Sequence, residues 1–385
     1  MTIDYTKTSI SFRVRKVLRY LKLHGASRTL VKIRGQYHMA REYEQLPAMQ
    51  TRKATGKHVA LIGCGNFAFS NIAFYLKKKH GHCIRACMDT SLERAASLYE
   101  QYGLDYYTSD ADEIMADPEI DLVYVASNHA THAEYAIAAI EAGKAVHIEK
   151  PHVASRAQLD RLRAAAERQP ARIRIGFNRP HSSMGREVAK AMASQTGPSM
   201  MNWFVVGHPI DADHWYHRKG EGGRILGNLC HWTDFVLRMV DRGDRYPIRI
   251  TPTRASKSDC DMAVTYCFGD ETIATITFTA KGHSFSGVRE RFAAQRGDVL
   301  ISLDDFRTMT IEHNEHRIKR SPWFNDQGHA DSILASYRMS KKGGDEAGET
   351  LEYICDTAEL FLATKDALES GQSITLSREL SAVAS

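Results

Sequence analysis

Val59 Ala60 Leu61 Ile62 Gly63 Cys64 Gly65 Asn66 Phe67 Ala68 is the stretch of sequence that decides the fold. It combines a short apolar strand, a turn with two glycines and the start of a helix. An ordinary strand–turn–helix has the same signature, but this order of elements also binds the pyrophosphate of a dinucleotide. Gly63 would allow the tight turn, Gly65 would let the backbone approach the phosphates, and the small Ala68 would let helix and strand pack closely. The N–H groups of Asn66 and Phe67 at the helix start would bind the phosphates.

A carboxylate follows the next apolar segment. Residues 83–88 are a second buried-strand candidate, and this strand ends in Asp89. Its separation from the glycine turn is that expected of the carboxylate that binds the adenosine ribose hydroxyls. Such a carboxylate would repel a 2′-phosphate, and neither Thr90 nor Ser91 brings a compensating arginine. We therefore predict NAD rather than NADP as the cofactor.

The size and composition of the chain narrow the class of protein. Its 385 residues, of which 43% are hydrophobic, are enough for a large core and predict two domains. No apolar run reaches the length of a membrane span. The seven cysteines form neither a CxxC pair nor a Cys/His zinc pattern, which predicts a protein of the reducing cytoplasm without a metal site.

The positive charge of the chain is concentrated in an N-terminal arm. Ten lysines and arginines and no acidic residue lie between Tyr5 and Arg41, so that the rest of the chain carries a net negative charge. Apolar residues recur in the arm at the spacing of an amphipathic helix, at Val14, Val17, Leu18 and Leu21. Such a helix binds an anionic membrane surface or a partner, or it docks on its own or a neighbouring subunit. A nucleic-acid partner is not expected, because the remaining surface is negative.

Beyond the arm, strand and helix signals alternate as in a doubly wound parallel sheet. Strands are predicted at residues 59–62, 83–88, 121–126, 145–148 and 172–177. After Pro180 the pattern changes to period-2 strands, which are typical of an antiparallel sheet. We predict an α/β protein in three parts: the basic arm at residues 1–56, an NAD-binding Rossmann domain at 57–178, and an α+β domain with a large, mainly antiparallel open sheet at 179–385.

Three predicted strands of the first domain end in polar clusters. The clusters are Ser127 to His132, Glu149 Lys150 Pro151, and Gly176 to Arg179. Any one of them is also compatible with a capped loop. Because the carboxyl ends of parallel strands meet at one edge of the sheet, however, we expect a ligand site there.

The glycine turn and these clusters occur in the order and at the spacing of the glucose-fructose oxidoreductase/inositol dehydrogenase family (Gfo/Idh/MocA), which the chain resembles over roughly residues 57–335. The resemblance implies that Lys150 reaches the reacting carbon of the substrate. It also implies a set of residues on the cofactor side, namely Ser127, Asn128, His129, His132, Glu149, Lys150 and Asn178.

The resemblance places a second part of the site within residues 208–234. In the family, a glycine-led helix presents an aspartate and, four residues later, a histidine to the substrate hydroxyl. His231 matches the histidine, but Gly227 stands at the aspartate position. Either His231 works with Lys150 alone, or the fold now binds rather than reacts. The substrate-binding candidates are Arg179, His214, Trp215, Arg224, Asn228 and His231.

The resemblance implies an NAD-dependent dehydrogenase that acts on a secondary hydroxyl of a sugar or nucleotide sugar, with Lys150 and His231 as catalytic residues. The form of the His231 helix resembles a subgroup found with bacterial polysaccharide genes. Two alternatives stay open: an epimerase- or glycosidase-type reaction with transient oxidation, and a non-catalytic sugar or dinucleotide sensor. We further expect a cytoplasmic homo-oligomer, a dimer or tetramer, whose basic arm contacts a membrane surface or a partner.

Overall fold

The computed structural model describes residues 8–49, 55–211, 213–255, 261–283 and 285–377. Within these ranges the α-helices are α1 Ile10–Met39, α2 Ala73–His80, α3 Leu92–Tyr102, α4 Ala111–Ala116, α5 His129–Glu141, α6 Arg156–Arg168, α7 Ser183–Ala193, α8 Cys230–Met239, α9 His329–Tyr337 and α10 Leu351–Ser370. The strands are β1 Val59–Ile62, β2 Ile84–Met88, β3 Tyr106–Thr108, β4 Leu122–Val125, β5 Ala145–Ile148, β6 Ile173–Ile175, β7 Ser199–Val206, β8 Ile248–Arg254, β9 Asp261–Cys267, β10 Ile273–Thr279, β11 Arg289–Arg296, β12 Val299–Asp304, β13 Thr308–His313, β14 His316–Arg320 and β15 Ile374–Leu376. None of these helices is long and apolar enough to cross a membrane.

The first domain is a six-stranded parallel sheet with strand order β3-β2-β1-β4-β5-β6. Every residue of β1, β2, β4 and β5 is buried, because helices cover both faces of the sheet. The predicted doubly wound sheet is confirmed. The edge strand β3 was not expected from the sequence, since three residues are too short to show a period.

The second domain is built on a nine-stranded sheet in which only the pairing of β7 with β10 is parallel among the described strands. Buried and exposed residues alternate along β7, as predicted for a sheet with one covered face. The covered face carries the large aromatic core around Trp203, Phe235 and Phe292. The prediction of a large, mainly antiparallel sheet is therefore confirmed.

The C-terminal part of the chain returns to the first domain. Helix α9 packs on the parallel sheet, where the Tyr124 hydroxyl donates to the Ile333 carbonyl at 2.8 Å and His147 Nδ1 lies 2.7 Å from Ser336 Oγ. One face of α10 packs against the same domain through Ile354. The two domains are thus joined by packed helices as well as by the chain crossing near residue 178.

The N-terminal arm forms helix α1, which is kinked at Gly25, where φ is +79°. Apolar residues of its first half point outward, since Ile10 is 72% exposed, Val14 51% and Leu18 58%, whereas Val31 in the second half is buried in the core. Several of its basic side chains instead point towards the protein and contact both domains. The arm is therefore a helix docked on its own chain, in which part of the predicted apolar stripe is exposed and several cations lie on the inner face.

Candidate active site

The glycine turn has the geometry needed for a dinucleotide. Gly63 has φ +89°, and a Cβ there would lie 2.6 Å from the backbone of Ala126, so that only glycine fits. A Cβ at Gly65 would meet nothing within 4 Å and would project into open space. A helical turn starts directly afterwards and places the N–H groups of Asn66 and Phe67 at this opening. The turn therefore has room for a pyrophosphate, which would contact the backbone at Gly65.

Asp89 lies beside this turn at the end of β2. Its Oδ2 accepts from the Cys64 N–H at 2.8 Å and its Oδ1 accepts from the Ser91 N–H at 2.9 Å. Arg94 approaches the same carboxylate to 4.0 Å from the first turn of α3. Arg94 was not expected from the sequence, because it lies five residues after Asp89 and only the helix brings it back to the carboxylate. The carboxylate is fixed where ribose hydroxyls would reach it.

The loop between β4 and α5 is closed by Glu221 of the second domain. Glu221 Oε1 accepts from the Asn128 side-chain amide, Oε2 accepts from the Ala130 N–H at 3.2 Å, and the Glu221 carbonyl lies 2.9 Å from His129 Nδ1. Burial and the nearby charge of Lys150 hold the pKa of His129 well below its usual value. Asn128 and His129 therefore join the two domains in this structure, and no local sequence signal pointed to Glu221 as their partner.

Three further cofactor-side candidates brace the strand ends. His132 lies between two carbonyls, that of Pro151 at 2.8 Å from Nδ1 and that of Ser127 at 3.1 Å from Nε2. Ser127 Oγ accepts from the Thr131 hydroxyl at 2.8 Å. The Glu149 carboxylate lies 3.3 Å from His147 Nε2. These contacts orient the loop around Lys150 and assign His132 and Glu149 a supporting position.

Lys150 reaches from the first domain to the helix that carries His231. Its Nζ donates to the Gly227 carbonyl at 2.7 Å, one helical turn before His231. Burial, together with the charges of Arg179 and Lys150, holds the pKa of His231 well below its usual value, so that the imidazole is neutral at pH 7. Its Nδ1 is buried without a hydrogen-bond partner among the described residues. The Lys150 amine of the first domain thus contacts the helical segment of the second domain that leads to His231.

The space beside Gly227 is filled by two rings. A Cβ at this position would lie 2.6 Å from Cε2 of Tyr216 and 2.9 Å from Cε1 of His129. An aspartate therefore cannot be accommodated at position 227 unless these rings move. The sequence showed that the carboxylate was missing, but only the structure identifies Tyr216 as the side chain that takes its place.

Two arginines predicted to bind substrate are instead held inside the second domain. Arg179 is buried, and its Nε donates to Glu290 at 2.7 Å while its guanidinium stacks on Trp232. Arg224 is also buried and donates to the His208 carbonyl. These contacts argue against a substrate role for either guanidinium, and the reason is their long-range partners, which the sequence does not reveal.

The other candidates lie nearer the cleft. His214 and Trp215 are half-buried, and the Trp215 ring packs edge-on against His129 with centroids 4.6 Å apart. Asn228 has a buried Oδ1 without a hydrogen-bond partner among the described residues. Asn178 donates to the Gln327 carbonyl at 2.6 Å, behind the cofactor edge. Among the described residues, no group of three or more His, Cys, Asp or Glu side chains is arranged to hold a metal ion.

Comparison with known proteins gives relatives for this arrangement. The chain is 34% identical over 192 residues to 1,5-anhydro-D-fructose reductase of Ensifer adhaerens. The aligned region covers 48% of this chain and 56% of that protein. It is 32% identical over 214 residues to inositol 2-dehydrogenase of Pseudomonas savastanoi pv. phaseolicola. Here the aligned region covers 53% of this chain and 60% of that protein. The chain thus spans about half the length of the curated relatives it matches.

Solved structures share the fold over most of the chain. GenD2 from gentamicin A biosynthesis, in complex with NAD, matches with a TM-score of 0.70 at 19% identity and covers 88% of this chain and all of that one. Levoglucosan dehydrogenase, in complex with NADH and L-sorbose, matches with a TM-score of 0.70 at 15% identity and covers 84% of this chain and 99% of that one. At these identities the match shows the fold alone.

The first domain also matches a family model. Residues 57–177 fit the GFO_IDH_MocA model, described as an oxidoreductase family with an NAD-binding Rossmann fold. This match covers the glycine turn, Asp89 and Lys150, and it confirms the predicted NAD-binding domain. Over these residues the chain is similar to the Gfo/Idh/MocA family of oxidoreductases.

Proposed function

We propose that the protein is an NAD-dependent dehydrogenase that oxidises a secondary hydroxyl of a sugar or nucleotide sugar, or catalyses the reverse reduction. The observation that carries this proposal is the approach of Lys150 to the helix of His231. Lys150 Nζ lies 2.7 Å from the Gly227 carbonyl oxygen. Relatives named for 1,5-anhydrofructose and inositol support a polyol or sugar as the substrate class. A role in polysaccharide metabolism rests on the resemblance of the sequence alone.

The chemistry divides between the cofactor and the chain. NAD, when bound, accepts the hydride from the substrate carbon. The imidazole of His231, whose Nδ1 has no hydrogen-bond partner among the described residues, would accept the hydroxyl proton. The Lys150 ammonium would stabilise the negative charge that develops on the substrate oxygen. Asn228 and Trp215 would contact the sugar, through the unpartnered Oδ1 and the indole ring.

Replacing Lys150 tests the proposal. Lys150→Met should reduce turnover at least about a thousandfold with a nucleotide sugar, uronic acid or inositol substrate, because it removes the oxyanion-stabilising charge. Binding of NADH should change less than about threefold. Lys219→Met, on an exposed loop of the second domain, is the matched control. Retained turnover in Lys150→Met would contradict the role of this lysine.

A non-catalytic sensor is the second candidate, and the filled space beside Gly227 favours it, since the aspartate of the proton relay is absent. His231→Ala separates the two functions: a dehydrogenase loses turnover, whereas a sensor has none to lose and keeps its ligand affinity. Product analysis without net NADH formation would indicate the transient-oxidation alternative.

A homo-oligomer is proposed as the assembly state. Large apolar side chains are exposed on the open face of the second sheet: Met200 is 65% exposed, Leu300 50% and Phe204 44%. Exposed apolar side chains on one face of a sheet support a protein interface. Sedimentation of the wild type and of a Met200→Lys/Leu300→Lys variant tests whether this face joins the subunits.

A further inference from the structure

The inner face of α1 carries positive charge next to the dinucleotide turn. Lys16, Arg28 and Lys32 are partly buried on this face, whereas Val14 and Leu18 are more than half exposed on the other. A helix that docks only for stability buries its apolar stripe. In α1 this stripe is partly exposed, and Arg28 and Lys32 lie against the helix that follows the dinucleotide turn.

Helix α1 contacts the same turn that would hold the pyrophosphate. Lys32 Nζ donates to the Asn66 Oδ1 at 3.3 Å, and the Asn66 amide donates to the Gly35 carbonyl at 3.2 Å. His38 Nε2 lies 2.7 Å from the Cys64 carbonyl. A Cβ on Gly35 would lie 3.2 Å from Asn66 Oδ1, so the helix backbone itself lies against the turn. The Lys32 ammonium thus contacts the side chain of Asn66, the residue whose N–H group would bind the phosphates.

No carboxylate of the described residues forms an ion pair with Lys32. Lys32 donates to the neutral side chain of Asn66, and Arg28 donates to the Ser70 carbonyl and to Asn71 Oδ1 rather than to a carboxylate. Among the described residues neither cation forms a salt bridge. Burial, reinforced by Arg28 and Lys16, lowers the pKa of Lys32 to about 8. A buried cation without a counter-ion is costly, and an anion bound beside it would remove that cost.

The other half of α1 is attached to the second domain. Arg19 donates to the carbonyls of Phe285 and Ser286, and the Leu23 carbonyl accepts from the Asn325 N–H at 2.8 Å. The kink at Gly25 separates this half from the half that contacts the dinucleotide turn. The helix therefore spans the two domains whose cleft would hold the cofactor.

We propose that α1 is a clasp over the cofactor, and that Lys32 binds the pyrophosphate of the dinucleotide together with the N–H groups of the glycine turn. The inference rests on the proposed use of NAD by this domain. A pyrophosphate brings two negative charges, which match the unbalanced charges of Lys32 and Arg28. Bound dinucleotide would then stabilise α1 and, through Arg19, its attachment to the second domain.

Titration of purified protein with NADH, followed by nicotinamide fluorescence, tests the clasp. Lys32→Met should raise the Kd for NADH at least about tenfold and reduce its dependence on salt. Lys32→Arg should stay within about threefold of wild type, because it keeps the charge. Lys22→Met, an exposed lysine of the same helix, is the matched control and should leave the Kd unchanged. ADP-ribose binding should weaken in parallel with NADH binding, whereas adenosine binding should not.

Hydrogen exchange gives a readout independent of affinity. Saturating NADH should slow amide exchange of residues 26–39 in wild type, and this protection should be smaller in Lys32→Met at equal occupancy. The ligand-free melting temperature of Lys32→Met should be equal to or above that of wild type, since an uncompensated charge is removed. Wild-type affinity in Lys32→Met, or an equal loss in Lys22→Met, would overturn the clasp. Failure of wild type itself to bind NADH would instead overturn the proposed function.

Discussion

Replacing Arg179 with methionine removes the cation that neutralises Glu290 inside the second domain. The Glu290 carboxylate is fully buried, and it accepts from Arg179 Nε at 2.7 Å, from Trp232 Nε1 at 2.8 Å and from Gln327 Nε2 at 3.2 Å. Breaking a buried ion pair by removing one partner costs roughly 3–5 kcal/mol. Since the two neutral donors remain, we expect a loss at the lower limit, about 3 kcal/mol, or a factor of about 150 in the unfolding equilibrium.

Urea unfolding followed by tryptophan fluorescence measures this loss, because Trp232 contacts the same carboxylate. Arg179→Met/Glu290→Gln should regain at least half of the lost stability, since no charge is left buried. Arg168→Met is the matched control: its partner Glu141 is 3.0 Å away, but both side chains are more than half exposed, so the change should be below about 1 kcal/mol. A stability loss below about 1 kcal/mol in Arg179→Met, with a tenfold higher KM for substrate, would refute the reasoning and restore Arg179 as a substrate ligand.

Three further predictions concern the turn, the filled space and pH. Gly65→Ala should keep the stability of wild type within about 1 kcal/mol but weaken NADH binding at least tenfold, whereas Gly63→Ala should unfold more easily; equal effects in thermal melts and NADH titrations would contradict this. Gly227→Asp should destabilise by about 1–3 kcal/mol and fail to raise activity, because its Cβ overlaps Tyr216; a faster and equally stable variant would contradict it. As the pH is lowered from 6.5 to about 4, the folded pKa of His152, this residue should lower the free energy of unfolding by about 1.4 kcal/mol per pH unit, because the unfolded chain binds the proton first. A urea midpoint that depends equally on pH in His152→Phe would argue against this.

The parts of the molecule that could be predicted share one property, which is that their signals are local in the sequence. The glycine turn, Asp89 and Lys150 each lie at a strand end, and the parallel sheet brings strand ends to one edge whatever the rest of the chain does. The pattern of buried and exposed residues along β7 likewise follows from the period of a strand.

The parts that could not be predicted depend on neighbours far away in the sequence. The sequence made Arg179 a candidate ligand for an anion, but in the structure its partner is Glu290, 111 residues later. Helical spacing showed which residues of α1 share a face, but not which face turns inward.

The sequence alone determined the NAD-binding Rossmann sheet and the mainly antiparallel sheet that follows it, because glycine turns and strand periods are short-range properties of the chain. The tertiary structure alone decided that Tyr216 fills the space beside Gly227, that Glu221 closes the loop at Asn128, and that α1 turns its cations towards the cofactor turn. The physical reason is that packing and charge compensation depend on the groups that the fold brings within a few ångströms of each other. These groups lie far apart in the sequence, so that no local pattern reveals them.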